Sequence, residues 1–196
     1  MKAYFHIKDE IRILGIDDSA LISDTITIVG AFFRGGMWLD GVLRSDISRD
    51  GLDATTRIIE MVRQSKHFLQ IRIIMLDGVT YGGFNPVDIV QLNEETDIPV
   101  IVLMRKLPDF EKIETALSHL PEKEKRMKII KKAGNISKVI TKDVSNPVFI
   151  QCCGIKQELA ARIVHLSSTR SNIPEPLRVA HLIATGIILG ESRGKA

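Results

Sequence analysis

Apolar and polar positions along the chain change period several times, and each change marks an element. RILGID at 12–17 is short, apolar, rich in β-branched residues and ends on an acid, the pattern of a buried strand. TITIVGAFF at 25–33 predicts a second strand, and MWLDGVLRSDI at 37–47, polar at alternate positions, a third. RGG at 34–36 supplies the turn of a hairpin, because Gly35 and Gly36 reach positive φ without steric cost. From 50 to 68 the period lengthens: Leu52, Ile58, Ile59, Met61 and Val62 share one helical face, with Asp50 or Asp53 as cap.

QIRIIML at 70–76 is again a buried strand, and a loop with three glycines follows it. PVDIVQLNEET at 86–96 predicts a short helix with proline in its first turn, and IPVIVLMRK at 98–106 a strand apolar throughout, as a parallel sheet interior requires. Two helices follow, broken at Pro121 and stopped at Gly134, then short strands at ISKVIT and PVFIQC, and helices at KQELAARIVHLSS and PEPLRVAHLIATGII. The order predicts an α/β fold: a mixed sheet of three antiparallel strands, then parallel strands, flanked by helices. With no repeat and no low-complexity linker, a single domain over 1–196 is the economical reading.

Right-handed crossovers place strand 70–76 parallel to strand 12–17. If the two are neighbours, Asp17 and Asp77 leave the sheet at its carboxyl edge, where ligands of open α/β sheets bind. Like charges that close together call for a raised pKa or a cation between them. Hard aspartate oxygens without accompanying histidine or cysteine select Mg²⁺ or Mn²⁺ over Zn²⁺. The loop containing Gly78, Tyr81, Gly82, Gly83 and Asn85 lets an anionic substrate approach backbone N–H groups, and Tyr81 is a candidate to stack on a base. The plain alternative for either acid alone is a turn or cap residue, and alternation turns Asp18 to the opposite face, for turn duty or for support behind the ligating acids.

Composition narrows the rest. With 44% hydrophobic and 26% charged residues the chain is an ordinary globular one. The adjacent Cys152 and Cys153 make no disulfide framework, no apolar run has the length of a membrane span, and MKAYFHIKDEIR lacks the apolar core of a signal peptide. The expectation is therefore a cytoplasmic protein without membrane association, its oligomeric state left open. The net charge of +3 is local: EKEKRMKIIKK at 122–132 holds six basic and two acidic residues, and the remainder of the chain is at −1. Such a run is a solvated helix face or a phosphate-facing patch.

ILGIDDS, MLDGVTYGG and above all NIPEPLRVAHLIA at 172–184 resemble the endonuclease V superfamily, and more closely its small, mostly archaeal UPF0215 (DUF99) relatives. The resemblance implies a ribonuclease H-like fold and a divalent-metal-dependent nuclease that hydrolyses phosphodiester bonds in DNA or RNA, in the manner of deaminated-base repair. The family's Asp, Glu, Asp metal set falls on Asp17, Asp53 (shortened from glutamate) and Asp77, and its lysine on Arg105 or Lys106 as transition-state stabiliser. Residues 108–135 fall outside the match as a basic helical insertion. The family's proline-tyrosine wedge is replaced by RSDISRDG, its histidine-proline pair is absent from YGGFNP, and its glycine-histidine pair is Gly154–Ile155. These departures keep two other readings open: a nucleic-acid-binding protein without catalysis, and a metal-dependent phosphohydrolase acting on a small substrate.

Overall fold

A computed structural model describes residues 7–194; residues 1–6, where the segment read for a signal peptide begins, and 195–196 lie outside the described residues. Strands β1 (Arg12–Asp18), β2 (Thr25–Arg34) and β3 (Trp38–Ser48) form the expected antiparallel meander. Helix α1 (Ala54–Arg63) leads to β4 (Ile73–Asp77), a two-stranded ribbon of β5 (Thr80–Tyr81) and β6 (Asn85–Pro86), α2 (Ile89–Thr96) and β7 (Val100–Met104). Then come α3 (Phe110–Leu117), α4 (Lys123–Lys132), β8 (Ser137–Val139), β9 (Val148–Cys153), α5 (Gln157–Ser167) and α6 (Glu175–Leu189).

The main sheet has the order β3-β2-β1-β4-β7-β9-β8. Strands β1, β4 and β7 are parallel, as expected; β9 and β8 close the far side in antiparallel fashion, so the parallel part is only three strands wide. Both faces are covered, which is why β1, β4 and β7 are almost wholly apolar. On one face Leu14, Ile16, Ile74, Leu76 and Val102 meet Ile58 and Val62 of α1 and Leu92 of α2. On the other, Ile13, Ile73, Met75 and Ile101 meet Ile163 and Val164 of α5 and Leu177 of α6. Full burial of each such side chain contributes about 1.5–3 kcal/mol.

Two local expectations are corrected. Pro86 lies in β6 and not in the first turn of α2, whose cap is Asp88, accepting from Val90 N and Gln91 N at 3.1 and 3.0 Å. Asp53 occupies the N-cap position of α1 without making a cap bond. Asn85 Oδ1 accepts the Ala54 N–H in its stead, at 3.0 Å.

Candidate metal centre

Strands β1 and β4 pair in parallel with Ile16 opposite Leu76, so the next residue on each, Asp17 one position before the end of β1 and Asp77 at the end of β4, lies beside the other. Both carboxylates are nearly enclosed: Asp17 is 5% exposed and the Asp77 side chain 9%. Each already meets a basic side chain from another element. His181 of α6 places Nδ1 2.8 Å from Asp17 Oδ2. Arg105, just past β7, donates through Nη1 and Nη2 to the two oxygens of Asp77 at 3.1 and 3.0 Å. Of the two basic candidates, Arg105 is the one the structure brings to the acids; Lys106 is exposed.

Alternation sends Asp18 to the other face of β1, where its carboxylate accepts the Gly82 N–H. It stays electrostatically part of the group. Burial, and then the charge of Asp17, pushes the Asp18 carboxyl up to about 7. Burial and the charge of Asp17 likewise push Asp77 up to about 6, with Arg105 opposing. His181 is raised, chiefly by its hydrogen bond to Asp17; its Nε2 lies 3.1 Å from Arg193 O. Oxygen acceptors thus face both ring nitrogens, the arrangement of an imidazolium.

The glycine loop does not serve as the open anion cradle expected of it. Gly82 (φ +52°) and Gly83 (φ +90°) turn the β5–β6 ribbon, and three of the loop amides are occupied: Gly82 N donates to Asp18, Phe84 N to Asp50 Oδ1 at 2.8 Å, and Gly78 N to Leu103 O at 2.9 Å. Tyr81 is 1% exposed, and its hydroxyl donates to Ile16 O at 2.9 Å beneath the acids, so it offers no stacking face. Asn85 is fully buried and spends its amide on Ala54 N, Ser48 O and Asp53 Oδ1.

The Asp53 carboxylate is engaged by neighbours other than Asp17 and Asp77. It accepts from Ser48 N (3.2 Å), Ser48 Oγ (3.1 Å) and Asn85 Nδ2 (2.6 Å), and ties the end of β3 to the start of α1. Among the described residues no three His, Cys, Asp or Glu side chains are grouped as a metal-ligand set. The donor set that does assemble is the adjoining Asp17 and Asp77, backed by Asp18.

The basic helix is also reassigned in part. Arg126 is 2% exposed: Nη1 donates to Gly51 O (2.6 Å) and Phe84 O (2.7 Å), Nε to Pro121 O (2.9 Å). It fastens the β3–α1 turn and the ribbon to α4. Lys132 pairs with Asp88 at 2.7 Å, Lys125 with Glu122 and Lys123 with Glu114. Lys128 and Lys131 remain exposed, with no ion pair among the described residues.

Sequence reasoning missed His181. A signal for His181 existed: Glu175, Arg178 and His181 recur at every third position of an otherwise apolar helix and so line one stripe. Glu175, 2% exposed, is held by Arg178 Nε and Nη2 at 2.9 and 2.7 Å.

Comparison with known proteins bears on the family and the fold. The endonuclease dU family profile matches residues 9–188. A UPF0215 protein of Methanosarcina acetivorans is 64% identical over 192 residues, 98% of each chain. A crystal structure of an Archaeoglobus fulgidus protein superposes with a TM-score of 0.82 at 42% identity, covering 90% of this chain and 97% of that one. Ciona intestinalis endonuclease V, in complex with a 24mer DNA containing an inosine, superposes with a TM-score of 0.61 at 18% identity, covering 91% and 86%. The fold is thus the ribonuclease H-like fold of endonuclease V. No helix among the described residues is long and apolar enough to cross a membrane.

Proposed function

We propose that this chain, which belongs to the endonuclease dU family, is a divalent-metal-dependent nuclease acting on phosphodiester bonds in nucleic acid. The observation that carries the reading is the meeting of Asp17 and Asp77 at the carboxyl ends of adjacent parallel strands. The donor chemistry fits a hard cation. Both acids are nearly enclosed, all their donor atoms are oxygens, and burial, then the charge of Asp17, raises Asp77 and the neighbouring Asp18, a penalty that a cation would relieve. Asp17 and Asp77 would hold Mg²⁺ or Mn²⁺; Asp53, engaged with Ser48 and Asn85, is left out of the assignment. When bound, the ion supplies Lewis-acid polarisation of the phosphate and a more acidic water.

The chain's own residues prepare the rest. His181 holds a proton at Nδ1 against Asp17 and so fixes that carboxylate's orientation. Arg105, with 41% of its side chain exposed, is a planar fork that suits a phosphate oxygen pair once Asp77 turns to the cation. Lys106 stands next to it at the surface, and Lys128 and Lys131 add sequence-independent attraction for a phosphate backbone. The DNA bound by the Ciona enzyme supports nucleic acid as the partner class.

One observation favours a second reading, a nucleic-acid binder without chemistry: His181 and Arg105 already pair with Asp17 and Asp77. The two separate in one experiment. Labelled single strands, plain or bearing dU or inosine, are incubated with the protein in Mn²⁺, Mg²⁺ or EDTA. Metal-dependent cleavage abolished by Asp17→Asn and by Asp77→Asn supports the nuclease. Binding that persists in EDTA without cleavage in any metal supports the alternative.

A further inference from the structure

The outer edge of the main sheet at β3 is built to receive a strand. Among the described residues nothing pairs with it. At 11 residues it is a long edge strand without lysine or proline, and the charges it does carry, Asp40, Arg44 and Asp46, are of both signs. Trp38, Leu39 and Val42 are exposed along it by 57, 46 and 50%.

The hydrogen bonds tell which backbone groups point outward. Arg49 N donates inward, to Asp24 O, whereas Ser48 gives its N–H to Asp53 and receives Asn85 Nδ2 at its carbonyl. Ser48 therefore faces away from β2, and by alternation so do Asp46, Arg44 and Val42. The Asp53–Asn85 clip closes the edge at Ser48. The stretch 42–46 is left open, ahead of the irregularity in pairing at Phe32/Phe33.

We propose that a second copy of this chain docks here, β3 against β3 in antiparallel register about a two-fold axis at Ser45. Outward-facing residues must lie opposite outward-facing residues, and this axis sets Arg44 against Asp46 of the partner subunit on both sides. An axis at Arg44 or at Asp46 would set like charges against each other. Within one chain Arg44 Nη2 already lies 3.1 Å from Asp46 Oδ1, with side chains 61 and 40% exposed. Pairing at Ser45 makes a square of four alternating charges, each arginine flanked by two aspartates. The ladder stops where Ser48 is already bonded, and it draws the exposed Val42 against the partner's strand end. A strand of another protein would have no cause to match this alternation; the edge is complementary to itself.

Sedimentation velocity across the micromolar range, on the full chain, tests the assignment. Wild-type protein is expected to be a dimer that dissociates on dilution. Arg44→Asp and Asp46→Arg, each of which creates two like-charge oppositions, are expected to weaken it about tenfold or more. The double exchange Arg44→Asp/Asp46→Arg restores every opposite-charge pair and is expected to return the affinity to within a few-fold of wild type. Asp46→Pro, which removes an outward N–H and leaves the inward bonds of β3 in place, is expected to give a monomer. Circular dichroism confirms that each variant is folded. A monomeric wild type, or a dimer that ignores the single reversals, or single variants that the double exchange fails to rescue, would overturn the proposal. None of these outcomes depends on nuclease activity.

Discussion

Pro176 rests directly on Gly15: a Cβ at residue 15 would lie 2.4 Å from the Pro176 carbonyl carbon and 2.6 Å from its oxygen. The start of α6 thereby touches β1 two residues before Asp17, and this seating brings His181, further along the helix, to the Asp17 carboxylate. Gly15→Ala must push α6 outward. Overpacking of this kind costs about 1–3 kcal/mol, or about 2–4 °C of Tm per kcal/mol for a domain of this size. Thermal melts should show that loss. Unchanged Tm would mean that α6 is not fixed by this contact.

Removing one carboxylate of the pair should weaken cation binding without unfolding the chain. Asp17→Asn and Asp77→Asn are expected to lower Mn²⁺ affinity, read by calorimetry, by about tenfold or more, the scale of losing a partner of a metal site. Asp53→Asn is expected to leave that affinity unchanged and to lower stability by about 1 kcal/mol, as its bonds are to Ser48 and Asn85. Loss of Mn²⁺ binding in Asp53→Asn would return it to the ligand set.

The stability of the metal-free protein should fall as pH rises. Asp18 and Asp77 titrate at about 7 and about 6 in the folded chain, above 3.8, so between about pH 4 and 7 the folded state binds more protons than the unfolded one. Stability is then lost across that window and levels off above it. His181, also raised, acts in the same direction above its ordinary value. In EDTA, Tm at pH 8 is expected to lie several degrees below Tm at pH 5. Asp18→Asn should flatten the profile, and Mn²⁺ at pH 8 should recover much of the loss. A Tm that rises from pH 5 to 8 would contradict the electrostatics of the site.

Two parts of the basic helix should separate cleanly. Arg126→Ala leaves the carbonyls of Gly51, Phe84 and Pro121 without their donor, and urea unfolding should show a loss of about 3 kcal/mol. Lys128→Ala and Lys131→Ala should leave stability unchanged. If α4 faces nucleic acid, each should reduce the salt dependence of binding by about one counterion.

Much of the architecture was legible because strands β1, β4 and β7 are apolar runs with nothing else to do but fill a sheet interior. The handedness of crossovers then placed Asp17 beside Asp77. The basic character of 122–132 was equally plain, yet its role was not: a guanidinium serves a solvated face or three buried carbonyls with the same formula, and only the approach of Gly51 and Phe84 to Arg126 decides between them.

Local pattern determined which residues lie in strands and helices, and which two acids end adjacent strands, since both follow from period and chain direction. Tertiary structure decided the partners. His181 reaches Asp17 across 164 positions of chain, Arg105 outcompetes Lys106 for Asp77, and Asn85 draws Asp53 aside. Such choices depend on where separate elements meet in space, and a hydrogen bond that needs its partners within about 3 Å leaves no trace in spacing along the sequence.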